Sequence, residues 1–300
     1  MPPRELRQEG YGVRSPGHRL PDATRLGPVR LQVADLARSV EFYSRVLGLR
    51  LMDRDDTNAR LAAAGAHAPI VELHERSAAL PVPRQGRLGL YHFAILLPDR
   101  ASLARFITHL ATLEARVGAG DHLVSEAIYL NDPDGLGIEV YADRPRETWR
   151  TNGGELMMDT TALEMGGLLR AAGDQPWTGM PAGTVLGHVH LHVGDLEAAE
   201  GFYHRALGFD KVVWSYPGAL FLSAGGYHHH LGTNTWAARA PSAADNEARL
   251  LEWTIVLPSQ VDVDRAYESV TSAGYAAARD GGDVLLTDPW GTGLRLTAEA

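Results

Sequence analysis

Apolar and polar positions alternate through Pro28-Val-Arg-Leu-Gln-Val33, and after Asp35 the pattern becomes helical, running through Phe42-Tyr43 to a stop at Leu47-Gly48. This predicts a strand followed by a helix capped by Asp35, whose carboxylate can take the unpaired amides of a first turn. The same text returns 160 residues later: Val33, Asp35, Leu36, Phe42, Tyr43, Leu47 and Gly48 are matched by Val193, Asp195, Leu196, Phe202, Tyr203, Leu207 and Gly208. Identities at a constant offset mark an internal repeat. A second pair lies between and after these copies. His92-Phe-Ala-Ile-Leu-Leu-Pro98 opens a strand, a helical pattern covers Leu103 to Ala115, and Asp132-Pro133-x-Gly135 makes a turn. Its later copy runs from Glu252-Trp-Thr-Ile-Val-Leu-Pro258 through Val261 to Ala273 and on to Asp288-Pro289-x-Gly291.

The chain is therefore expected to hold four strand-helix-strands units, at about 28–75, 88–143, 184–237 and 249–298. Residues 1–26 read as an arm without periodicity that can lie along the body. The connection 144–183 is long, carries Pro145, Gly153, Gly154 and Pro181 around a short helical pattern at Ala162 to Ala171, and is the expected domain boundary.

A chain of 300 residues suits about two domains. Lys plus Arg number 28 against 37 Asp plus Glu, and no basic run stands out, which argues against nucleic acid and anionic membranes as partners. No apolar run reaches the length of a membrane span, and the N-terminus lacks the apolar core of a secretory signal, so a cytoplasmic protein is expected. With no cysteine, disulfides, thiolate zinc sites and cysteine-held iron–sulfur clusters are excluded. Any metal must then be held by carboxylates and by some of the 13 histidines.

Candidate chemistry concentrates in Gly120 to Glu139, GDHLVSEAIYLNDPDGLGIE. Ile128–Asn131 and Gly137–Tyr141 read as strands joined by the Asp-Pro-Asp-Gly turn, so Tyr129 and Glu139 lie on neighbouring strands. If both face a cavity, the Glu can ligate a metal with the Tyr beside it. A lone Glu after such a turn would more often be a solvated acid. The constellation Gly120-x-His122, Ile128-Tyr129, Asp132-Pro133-x-Gly135 and Glu139, however, resembles the signature of the extradiol ring-cleavage dioxygenases. The resemblance is closest to the two-domain catechol 2,3-dioxygenase-like proteins of the vicinal-oxygen-chelate superfamily, and it covers about residues 27 to 298.

That resemblance implies an α+β fold of four βαβββ modules forming two tandem glyoxalase-like (VOC) domains. The first would be 27–143, with modules 28–75 and 88–143, and the second 184–300, with modules 184–237 and 249–298. In this superfamily the first strand of a module carries a metal-binding His. Module two has His92 and module three His188, whereas the equivalent positions are Pro28 in module one and Glu252 in module four. Glu139 corresponds to Arg295, Tyr129 to Leu285 and His122 to Ala278. The resemblance thus implies one metal site of His92, Glu139 and His188, with modules two and three paired across the domain boundary. Modules one and four would form a second cup, filled or vestigial. Two imidazoles and one carboxylate with open positions suit Fe(II), with Mn(II) as the alternative ion.

The resemblance also assigns an acid–base His to a late strand of module three. Among His228, His229 and His230 the middle residue is preferred as catalytic, with His230 second and placed against the substrate. Tyr129 would hydrogen-bond a bound diol oxygen and His122 would close the outer side of the site. His190 shares the parity of His188 and is expected to face the substrate, while His204 is expected to be exposed. The implied reaction joins O2 to a small aromatic diol and opens the ring beside the diol, giving a hydroxymuconic semialdehyde-type product. A homo-oligomer is compatible with this reading.

Three alternatives stand beside it. A hydroquinone-cleaving dioxygenase would use the same triad. A glyoxalase-type isomerase would want a second Glu that the late strands of module three lack. A bleomycin-resistance-like binding protein would have no use for His92, Glu139, His188 and Tyr129 at these spacings. Trp177, Trp214, Trp236 and Trp253 can line a pocket or fill a core, and the core is the commoner place for a Trp.

Overall fold

In the computed structural model, residues 10–299 are described. The four units are present, and each contributes four strands to one of two eight-stranded sheets. Units two and three share a sheet, joined where Gly89–Leu96 runs antiparallel to Val185–His192. Units one and four share the other, joined by Arg25–Val33 against Arg249–Leu257. Both sheets are therefore assembled across the two halves of the chain.

The helices of the four units begin alike. Asp35, Asp99, Asp195 and Ser259 each accept, through the side chain, the amide of the residue three places on. Such a bond removes one of the orphan donors of a helix start. The third helix departs from the pattern. After Leu196–Ala199 it widens into a π turn over Glu200–Ala206, and His204 is buried there with Nδ1 on the Phe209 carbonyl at 2.6 Å. The expectation of an exposed His204 assumed a regular helical face and is corrected. The described part of the arm, from residue 10, covers this region: Ser15 Oγ donates to the His204 carbonyl and Leu20 is fully buried. Residues 1–9 of the expected arm lie outside the described residues.

Strand periodicity divides the first strands cleanly. Val29, Leu31, Phe93, Ile95, Val189, Leu191, Trp253 and Ile255 enter the main apolar core. Their neighbours one position away, among them His92, Ala94, His188 and His190, face the other side of the pleat. Trp253 is thus core.

The repeated Phe-Tyr and Asp-Pro motifs are tied to one another. The Tyr43 hydroxyl bonds to Asp132 Oδ2 at 3.3 Å, and Tyr203 to Asp288 Oδ2 at 2.8 Å. Each Asp also accepts two amides of its own turn. Burial pushes the Asp132 carboxyl up to about 7 and raises that of Asp288.

Module equivalence predicts a second cup between units one and four, and there charge takes the place of ligands. Arg295, at the position of Glu139, donates to Glu252 at 2.8 Å and Asp283 at 2.8 Å, so ion pairs stand where the ligands would be.

Candidate active site

Register alone brings the candidate ligands together. Ala94 is paired with His188 on one side and with Glu139 on the other, and two pairs away His92 faces His190. Glu139 is in turn opposite Tyr129. The small side chains Ala94 and Ala127 pack together with Tyr141. Two close approaches require glycine. A Cβ on Gly187, within the bulge between Leu186 and His188, would lie 1.9 Å from the Tyr141 hydroxyl, and one on Gly232 would lie 2.9 Å from the His190 ring.

His92 Nε2 lies 3.0 Å and His188 Nε2 3.2 Å from the same oxygen, Glu139 Oε2. The three ligand atoms all lie within 4.8 Å of one another, and all three side chains are buried. His92 Nε2 makes no hydrogen bond despite its burial. An orphaned lone pair facing a carboxylate and a second imidazole is what a cation would satisfy, so the donor set fits a divalent metal. Burial opposes the charge of Glu139, but His188 and His92 outweigh it and hold the carboxyl well below its usual range. Burial pushes His188 down to about 4. Both groups therefore offer free lone pairs at neutral pH.

The remaining expected residues divide. His122 donates from Nδ1 to the Asp159 carbonyl at 3.1 Å, which leaves Nε2 to accept the Tyr129 hydroxyl. Tyr129 is held well above its usual range by burial and by Glu139, so it stays a phenol. His190 lines the same cavity, its Nε2 bonded to Asn234 Nδ2 at 3.0 Å. The His229 ring centroid lies 4.0 Å from that of His188, and the residue opens on the cavity. His230 does not reach it. It lies in the irregular stretch before the strand Leu231–Asn234, its Nδ1 accepts the Ala224 amide at 3.2 Å, and it borders a separate cleft with Arg146 and Tyr227. The placement of His230 against the substrate is corrected on this ground.

The cavity has a volume of about 300 Å³. Beyond the triad its walls include Tyr91, Phe221, Tyr216 and Trp236, together with Met158, Asp159 and Thr160 from the long connection. That connection is strapped across both units: Thr161 pairs with Asp121, and Glu155 accepts the Ser215 amide at 2.6 Å. Sequence reasoning missed these wall residues except Trp236, which it weighed as pocket or core. Tyr91, beside a ligand, and Trp236, two positions beyond a strand that lies against His190, were the available signals.

This fold and this donor set define a class. The profile of the Glyoxalase/Bleomycin resistance protein/Dioxygenase superfamily matches residues 25–140 and 185–293, and the chain belongs to that superfamily. Among individual relatives, a catechol-2,3-dioxygenase of Bacillus subtilis (strain 168) is 46% identical over 270 residues, covering 89% of this chain and 94% of the relative. Among solved structures, one from Bacillus subtilis subsp. subtilis str. 168 superposes with a TM-score of 0.63 at 14% identity, covering 94% of this chain and 86% of that one. Glyoxalase I from Zea mays superposes with a TM-score of 0.52 at 19% identity, over 91% of this chain and 92% of that one. These two likenesses bear on the fold. No helix among the described residues is long and apolar enough to cross a membrane.

Proposed function

We propose that the chain is an Fe(II)-dependent extradiol dioxygenase that opens a catechol-type ring with O2 beside the diol, yielding a hydroxymuconic semialdehyde-type product. The observation that carries the reading is the convergence of His92 Nε2 and His188 Nε2 on one oxygen of Glu139. The 46% identical relative, a catechol-2,3-dioxygenase, supports it.

His92, Glu139 and His188 would hold the iron, which when bound acidifies a diol hydroxyl and brings diol and dioxygen together. The chain's own groups do the rest. His229, neutral because burial pushes its imidazole well down, would take the second diol proton and later return it. Tyr129, kept as a phenol, would orient a diol oxygen, and His122 would hold Tyr129 in place. His190 and the aromatic walls would pack on the ring. No Lys or Arg lines the cavity among the described residues, which favours an uncharged ring.

The test is anaerobic reconstitution with Fe(II), and separately with Mn(II), followed by oxygen and catechol, methylcatechols or dihydroxybiphenyl. A yellow ring-fission product is expected. Turnover of hydroquinones alone, or no coloured product from any diol, would overturn the proposal.

A further inference from the structure

Behind His229 lies a hydrogen-bonded row that the reaction described so far does not use. Asp143 Oδ1 is 2.9 Å from His228 Nε2, and His228 Nδ1 is 2.7 Å from His229 Nδ1. His228 is fully buried between the rings of Tyr227, at 4.1 Å, and Trp149, at 5.4 Å. Tyr227 adds a hydroxyl donor to Asp143 Oδ1 at 3.2 Å, so that oxygen is anchored from two sides.

Two imidazole nitrogens at that separation need one proton between them, and the carboxylate decides where it sits. A carboxylate only accepts, so His228 must carry its proton on Nε2. In a neutral imidazole its Nδ1 is then bare and can only accept, so His229 donates from Nδ1. A neutral His229 consequently turns an unprotonated Nε2 towards the cavity it lines. We propose that Asp143 and His228 are positioning residues that fix His229 in the Nδ1–H tautomer and so aim a proton-accepting lone pair at the substrate. The proposal rests on the reading of His229 as the acid–base group. When a diol hydroxyl proton moves to Nε2, the O–H bond breaks, a new N–H bond forms, and the pair left on oxygen stays there. The imidazolium so formed still donates to His228, with the Asp143 carboxylate two bonds behind it. An orienting acid behind a catalytic histidine works by the same logic in the Ser-His-Asp arrangement.

The test begins on unmutated full-length protein labelled with 15N in its histidines and loaded with diamagnetic Zn(II). A signal assigned by its loss in His229→Gln should show Nδ1 protonated and Nε2 bare. The reverse tautomer would overturn the proposal even if ring cleavage is confirmed, and the reading stands if no diol is turned over but the tautomer is as expected. Two variants then separate orientation from packing. His228→Leu removes the acceptor and should lower kcat by about 10- to 100-fold with KM and bound metal little changed. His228→Asn, whose carbonyl can accept from His229, should recover most of that loss. Equal activity of His228→Leu and unmutated protein, or equal losses in both variants, would sink the relay.

Discussion

Tyr129 and Glu139 are partners on one antiparallel rung, so the hydroxyl and the carboxylate are carried on one face by backbone pairing rather than by loop conformation. Their separation in sequence is bridged by a turn that Asp132 closes with amides of Asp134 and Leu136. Replacing Tyr129 with Phe keeps the ring and the rung but removes the donor. The expected outcome is an unchanged metal content with kcat lowered by about 10-fold or more, checked by metal analysis alongside steady-state kinetics. A Phe variant with full kcat would remove Tyr129 from the proposed chemistry.

Metal stoichiometry gives a second check. The sheet of units two and three brings two imidazoles to one carboxylate, while in the other sheet Arg295 occupies the matching position in pairs with Glu252 and Asp283. One divalent ion per chain is expected, and none in His188→Ala or Glu139→Ala. In the latter the two rings lose their only anionic neighbour in the triad. Two ions per chain by elemental analysis would contradict the reading that ion pairs replace the ligands in the second cup.

Much of this arrangement could be read from the chain before any coordinates, because it rests on repetition and parity. The offset between copies shows which units keep a His on the first strand, and the family resemblance, which makes that His a ligand, implies from Pro28 and Arg295 that units two and three pair. What escaped was decided by tertiary contacts. The irregular backbone before the strand Leu231–Asn234, not the triple His text, sends His229 into the cavity and His230 away from it. A π turn hides His204, and a connection that reads as a boundary supplies Met158 and Thr160 as a wall. Asp143 gave no signal, since its partner His228 is 85 residues away.

His230 carries a pH prediction that is separate from the metal. Burial pushes its imidazole down to about 3, whereas an unfolded chain protonates it near about 6.5. Between those values the unfolded state binds the proton and the folded state does not, so stability is full above about 6.5 and is lost as pH falls towards 3. The melting temperature should therefore drop between pH 7.5 and pH 5. His230→Asn, which keeps an acceptor for the Ala224 amide, should show a smaller drop across that interval despite a lower starting point. An unchanged slope would mean that His230 is not buried neutral.

The Tyr–Asp ties between units predict a modest, local cost. Tyr203→Phe leaves the ring in the core and removes only its bond to Asp288. Because the Asp keeps two amides of its own turn, the loss should be about 1–2 kcal/mol in denaturant unfolding, without effect on metal content. A loss of metal would show that the tie reaches the other sheet.

The cavity's lack of cationic side chains makes substrate charge the sharpest discriminator. A carboxylated catechol entering this space would leave water for walls of Tyr91, Phe221, Tyr216 and Trp236, with Asp159 the one added charge, and that is an anion. An unpaired buried carboxylate costs several kcal/mol, while a methyl group in the same place gains roughly 0.8 kcal/mol. With iron bound, kcat/KM for a methylcatechol should therefore exceed that for a carboxylated catechol by at least about 100-fold, the equivalent of roughly 2.7 kcal/mol. Met158→Arg, which brings a guanidinium to the wall formed by the long connection, should narrow that ratio by raising kcat/KM for the carboxylated ring. If the unmutated protein takes both substrates equally, the carboxylate must remain in water, and the ring would have to bind with its substituted edge towards the open mouth of the cavity.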